Sequence, residues 1–206
     1  MGGDVAPLSQ LAELAAEFGA MLLVDEAHAT GVFGASGRGI CEQLGIEDGI
    51  HLRVGTLSKA LGSTGGFVAG SRQLIDWLAN RARPYSFSTA APAAAAAAGL
   101  AALEINQREP ERRKRLLEMS LVLHERCSFQ GLNRRSSVSQ ILSISLSDPA
   151  RTVAAAAALR SRGFFVPAIR PPSVPEGGSL LRISLTCLHT EQQIDDLVAA
   201  LGEVTR

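Results

Sequence analysis

The run Ala20-Met21-Leu22-Leu23-Val24 is unbroken apolar sequence closed by two acids, Asp25 and Glu26. Continuous apolar strands of this kind belong to parallel sheets covered by helices on both faces. Immediately before it, Leu8, Leu11, Leu14, Ala15 and Phe18 recur at helical spacing after Pro7, and Gly19 closes that helix. Residues 51–57 read as a second strand and residues 66–70 as a short third. Ser71 caps a helix carrying Leu74, Ile75 and Leu78, and Pro92 opens an Ala-rich helix running to about residue 106. Three strands are fewer than the four to six or so of an ordinary sheet. The first half is therefore read as part of a larger α/β domain with a mostly parallel sheet.

Pro110 and a charged stretch mark a boundary, giving domains of residues 1–107 and 108–206. The run Arg112 to Arg115, flanked by Glu109, Glu111 and Glu118, reads as a solvated helix face. Beyond it, Leu116, Leu117 and Leu121 mark the apolar side of a helix. Leu142, Ile144 and Leu146 alternate with Ser143, Ser145 and Ser147 as a half-buried strand. A helix is expected from Thr152 to about Arg162, a short strand over residues 164–166, a Pro- and Gly-rich loop over 167–178, and a strand carrying Leu181, Ile183 and Leu185. Thr190 caps a last helix bearing Ile194, Leu197, Val198 and Leu201. This second half reads as a small α+β domain.

Composition narrows the function. Twenty basic and twenty acidic residues cancel, so no global field draws the chain to nucleic acid or an anionic membrane. Residues 90–103 are apolar but too short to span a bilayer. No signal peptide is read at the N-terminus. Cys41, Cys127 and Cys187 are odd in number and lack any CxxC spacing, which disfavours a disulfide framework or a zinc site and suits a reducing cytoplasm.

Eighteen of the twenty basic residues are Arg, leaving only Lys59 and Lys114. Lys114 sits among arginines, where any cation serves. Lys59 stands alone in Gly55-Thr56-Leu57-Ser58-Lys59-Ala60-Leu61-Gly62. An amine forms a Schiff base and a guanidinium does not. The segment Val24-Asp25-Glu26-Ala27-His28 has two sharp readings. The acidic box of a DEAH-type helicase requires a phosphate loop, and residues 62–66 lack its Lys-Ser/Thr. A pyridoxal phosphate (PLP) site requires an acid for the pyridine nitrogen and a lysine for the aldehyde. Asp25 and Lys59, at the ends of two apolar strands, favour the cofactor.

The chain resembles the C-terminal part of the α-oxoamine synthases, fold-type I PLP enzymes. The marks are Gly3-Asp4-Val5-Ala6-Pro7-Leu8, Val24-Asp25-Glu26-Ala27-His28-Ala29-Thr30-Gly31, Gly37-Arg38-Gly39, Thr56-Leu57-Ser58-Lys59-Ala60-Leu61-Gly62 and Tyr85-Ser86-Phe87-Ser88-Thr89. The loop Ala168-Ile169-Arg170-Pro171-Pro172-Ser173-Val174-Pro175 is most similar to the biotin-pathway member. The resemblance covers nearly the whole chain but only part of the family's length, so the chain is read as a fragment. It implies the C-terminal part of the PLP-binding large domain followed by the small C-terminal domain.

The resemblance further implies that Lys59 carries the cofactor and moves the substrate's α-proton. Asp25 would pair with the pyridine nitrogen and His28 with the phenolic oxygen. Thr56 would bind the phosphate, with Ser88 and Thr89 reaching the phosphate of a partner subunit in a homodimer; both could instead cap the Ala-rich helix. Arg170 would hold the amino-acid carboxylate. The implied reaction is a decarboxylating condensation of L-alanine with a pimeloyl thioester, on coenzyme A or an acyl carrier protein. The alternatives are a sister synthase using glycine or serine, or a non-catalytic truncated chain. His51, His124 and His189 are read as structural.

Overall fold

The computed structural model of the chain describes residues 1–132 and 139–205. The chain divides into two compact units: Pro7–Arg113, and a second made of Lys114–Arg206 together with Met1–Ala6.

The first unit runs α1 (Leu8–Glu17), β1 (Leu23–Asp25), α2 (Ile40–Leu44), a 3-10 turn (Glu47–Gly49), β2 (Leu52–Thr56), β3 (Gly66–Gly70), α3 (Arg72–Arg81), α4 (Arg83–Ser86) and α5 (Ala93–Arg108). β1 pairs parallel with β2, setting Asp25 opposite Val54, and β2 pairs antiparallel with β3, setting Thr56 opposite Gly66. A parallel pair needs a crossover of about a dozen residues or more. Residues 26–51 provide one, whereas residues 57–65 are too few, so β3 turns back. The strand expected over residues 20–24 is shorter and later than its apolar run. The N–H of Gly19 bonds to the Ala16 carbonyl (3.3 Å) and that of Ala20 to Ala15 (2.8 Å), the pattern that finishes a helix and uses up the residues following it. Val24 is buried, but Leu23 is 54% exposed, so β1 is not covered on both faces. Ser71 caps α3 as expected, its oxygen accepting from Leu74 N–H.

Arg113 departs from the expected solvated face. It is 7% exposed and donates to the Ala35 carbonyl (2.7 Å), to the Asn106 side-chain oxygen (2.9 Å) and to the Asn106 carbonyl. It thereby ties the loop at Ala35 to the end of α5.

The second unit contains most of α6 (Glu111–Phe129), then β4 (Ile141–Ser147), α7 (Pro149–Ser161), β5 (Ala168–Ile169), β6 (Ser179–Ser184) and α8 (Glu191–Val204). Its sheet, ordered β4-β6-β5, is antiparallel throughout. Leu123, Leu142, Ile144, Leu159, Leu181, Ile183, Ile194 and Leu201 form one buried cluster between sheet and helices. Removing such a side chain costs about 2–5 kcal/mol. The apolar stripe of α6 runs through Met119, Leu123 and Cys127, while Leu121, expected on it, is 46% exposed.

β4 is not half-buried. Ser143 is 4% exposed, because Met1–Ala6 lies over it: Ser143 Oγ donates to the Gly2 carbonyl (3.0 Å) and Ser139 Oγ to the Gly3 carbonyl (2.8 Å). The approach is so close that a Cβ on Gly3 would overlap the Ile141 carbonyl. α7 starts earlier than expected, since Asp148 accepts from Arg151 N–H (2.6 Å) as the cap and Pro149 occupies the first turn. No strand forms over residues 164–166. Gly163 N–H bonds to the Arg160 carbonyl and Phe164 N–H to Leu159, both 3.0 Å, finishing α7 and deferring the strand to Ala168. Thr190 and Gln193 cap α8 reciprocally, at 2.9 and 3.3 Å.

His124 is buried on α6, and burial lowers its pKa from 6.5 against a raising hydrogen bond to Ser139 backbone. The folded chain therefore binds this proton less readily than the unfolded chain. Stability is full above about pH 6.5 and is lost as pH falls from there toward the depressed folded value. Thermal denaturation between pH 8 and 5.5 should show a decline that His124→Gln reduces; parallel pH curves for the two proteins would rule out this origin.

Candidate active site

Asp25 closes β1 with its carboxylate in solvent, and Oδ1 accepts from Ala27 N–H (2.8 Å). His28 follows three residues later, exposed in the turn that leaves the strand. Thr56 is the last residue of β2. Its Oγ1 donates to the Gly65 carbonyl (3.0 Å), accepts from Ser58 N–H (3.1 Å) and lies 2.8 Å from Ser58 Oγ. Lys59 sits in the bend after β2, where its carbonyl accepts from Gly62 N–H (3.0 Å). It makes no ion pair with any described residue. Asp25, His28, Thr56 and Lys59 thus belong to the carboxyl-end connections of two adjacent parallel strands, where open α/β sheets bind their ligands.

Lys59 is exposed, because it lies beyond the sheet in a bend. Ser88 and Thr89 do not cap the Ala-rich helix: Pro92 occupies that position, and Ser88 Oγ donates to the Pro84 carbonyl. Both lie on the exposed connection between α4 and α5, beside Tyr85 and Phe87. Arg170 belongs to the other unit, as the exposed residue after β5, with its carbonyl accepting from Ser173 N–H (3.0 Å). Of the remaining histidines, His51 Nδ1 accepts from Leu22 N–H (3.2 Å) and His189 Nδ1 from Thr186 N–H (2.9 Å).

Two residues were not singled out from sequence. Ser58 shares the hydrogen-bonded corner with Thr56. Glu26, next to Asp25, is 2% exposed, and its oxygens accept from Ile40 N–H (2.7 Å) and Cys41 N–H (3.0 Å) at the start of α2. Burial, reinforced by Glu26, pushes the Cys41 thiol up to about 12, so it stays protonated. Nearby, a hydrogen bond from Arg38 holds Glu47 below the usual carboxylate range despite partial burial, and Arg53 adds to the effect. A cavity of about 230 Å³ opens beside these groups, lined by Glu26, Gly37, Arg53 and Phe67 among others. The signal for Glu26 in the sequence was Gly39, whose purpose only the structure discloses.

A strand-end acid and an isolated lysine on one α/β sheet edge define a class, and comparison with known proteins agrees. The chain belongs to the aminotransferase class I and II family, whose profile matches residues 1–201. Among curated relatives, the 8-amino-7-oxononanoate synthase of Anaeromyxobacter dehalogenans (strain 2CP-C) is 50% identical over 204 residues, covering 99% of this chain and 51% of that protein. Among solved structures, a high-resolution structure of SPT with PLP superposes at a TM-score of 0.92 with 34% identity, over 98% of this chain and 51% of that one. The 8-amino-7-oxononanoate synthase of Francisella tularensis superposes at 0.86 with 28% identity, over 98% of this chain and 59% of that one. The fold is thus that of the fold-type I PLP transferases, and the chain spans about half the length of the curated relatives it matches. Among the described residues, no helix is long and apolar enough to cross a membrane.

Proposed function

We propose that this chain is the C-terminal part of a cytoplasmic, homodimeric PLP-dependent acyltransferase. It condenses L-alanine with a pimeloyl thioester, releasing carbon dioxide and the thiol, to give 8-amino-7-oxononanoate for biotin synthesis. The observation that carries this reading is the placement of Asp25 and Lys59 on neighbouring parallel strand ends, one acid and one solitary amine. The donor set suits the cofactor: a primary amine for the aldehyde, a carboxylate with Oδ2 beyond its local turn, and hydroxyls at Thr56 and Ser58 for a phosphate.

When bound, PLP supplies an aldehyde that joins amines and a ring that accepts the electron pair left at a deprotonated Cα. Lys59 would hold the group and would take the proton from the alanine Cα. Asp25 would keep the pyridine nitrogen protonated, and His28 would donate to the phenolic oxygen. Thr56 would exchange the Gly65 carbonyl for a phosphate oxygen, with Ser58 beside it. Ser88 and Thr89, exposed on their connection, would reach the phosphate in the partner subunit. Arg170 would hold the alanine carboxylate through its planar fork. The partners are therefore L-alanine, the thioester and a second copy of the chain, with no nucleic acid or membrane.

A second reading, a sister synthase using serine or glycine, draws on the likeness to SPT. Spectral titration of the yellow, cofactor-loaded full-length protein with L-alanine, glycine and L-serine decides between them. Preference for L-alanine supports the first reading, and preference for another amino acid replaces it. A colourless protein overturns both and leaves the non-catalytic chain. In the same titration Arg170→Lys should weaken L-alanine binding about ten- to a hundredfold, the worth of a charge-assisted hydrogen bond, with the resting spectrum unchanged. Equal affinities would remove Arg170 from the site.

A further inference from the structure

We propose that Glu26 is the positioning residue of this site, holding the turn that presents Asp25 and His28 by a buried clamp on the start of α2. The inference rests on the functional reading above and deepens it.

The backbone of Glu26 gathers the turn around itself. Its N–H donates to the Val54 carbonyl (2.7 Å), carrying the β1–β2 pairing one residue beyond Asp25. Its carbonyl accepts from Ala29 N–H and Thr30 N–H, both at 2.8 Å, and from Thr30 Oγ1 at 3.1 Å. His28 is bracketed between these anchors. Successive strand residues point to opposite faces, so the Asp25 carboxylate stays in solvent while that of Glu26 goes inward.

The inward carboxylate has a defined seat. Oε2 accepts from Ile40 N–H at 2.7 Å and Oε1 from Cys41 N–H at 3.0 Å, two backbone donors at the head of α2 that no carbonyl of that helix could satisfy. Gly39, at φ 126°, lies so close that a Cβ there would overlap Oε2. The glycine at residue 39 is thus the shape complement of the Glu26 side chain. A buried carboxylate is expensive unless its lone pairs are occupied, and here both oxygens are. The clamp therefore has one geometry, and the carboxylate and imidazole presented by the turn inherit it. A displacement of about 1 Å at groups that orient a reacting centre costs on the order of a hundredfold in rate.

The test uses the full-length protein loaded with PLP, as wild type, Glu26→Gln and Glu26→Ala. Gln keeps the size but turns an amide N–H₂ toward a backbone donor; Ala removes the clamp. Well below the melting temperature of each variant, the visible circular dichroism of bound PLP should weaken in the order Glu, Gln, Ala. kcat should fall about ten- to a hundredfold with KM for the amino acid held within twofold. A merely structural Glu26 would lower the melting temperature and leave the cofactor-band dichroism and kcat of the folded protein unchanged, and that result overturns the proposal. Should neither variant fold, Glu26→Asp, which keeps the charge and withdraws the oxygens by one methylene, must show the same changes or the proposal fails. A wild type that takes up no PLP overturns the functional reading and this inference together; a normal wild-type band untouched in the variants overturns this inference alone.

Discussion

In the cofactor-loaded full-length protein, Lys59→Arg is expected to abolish covalent attachment altogether. Borohydride reduction of the wild type should fix the cofactor to the peptide containing Lys59, and reduction of the variant should fix none. The reason is chemical, since a guanidinium stays protonated and forms no Schiff base while keeping the charge and most of the length. The structure adds that the change is clean. Lys59 is exposed and makes no ion pair with a described residue, so in this chain no other contact is lost with the amine. Label recovered on Lys114, which lies on α6 with its ammonium 3.8 Å from Glu118, would overturn the assignment.

The second large effect is expected from Asp25→Asn. The side-chain oxygen of Asn still accepts from Ala27 N–H, so the turn and the melting temperature should be retained. An amide, however, cannot hold a proton on a pyridine nitrogen. Turnover should fall about 10²–10³-fold, the range for removing one preorganised electrostatic partner, with some cofactor still bound. Near-wild-type turnover would reduce Asp25 to a turn former.

The family was legible in the sequence because its marks are local. Asp25 ends an apolar run, and Lys59 is an amine in a chain that otherwise uses arginine. Helix caps at Ser71 and Thr190 were legible for the same reason. What escaped depends on residues far along the chain. Ser143 looked solvent-facing because its cover, Gly2, is 141 positions away. Glu26 was not singled out because the amides it holds come 14 and 15 residues later. The strands expected to begin at residues 20 and 164 were displaced by a second cause, the two helix-finishing turns at Gly19 and Gly163, which take residues that apolar patterning assigns to strand.

The cover that Met1–Ala6 lays over β4 also sets an order of events during synthesis. These residues leave the ribosome before any part of the sheet they cover, and Ser139 follows Gly3 by 136 positions. At roughly 5–20 residues per second, that is a wait on the order of ten seconds. Residues 7–113, contiguous in the chain, are all translated within that interval and form their own unit. Until then the serine partners of Gly2 and Gly3 do not exist. The seat of residues 1–6 therefore exists only once β4 has been made.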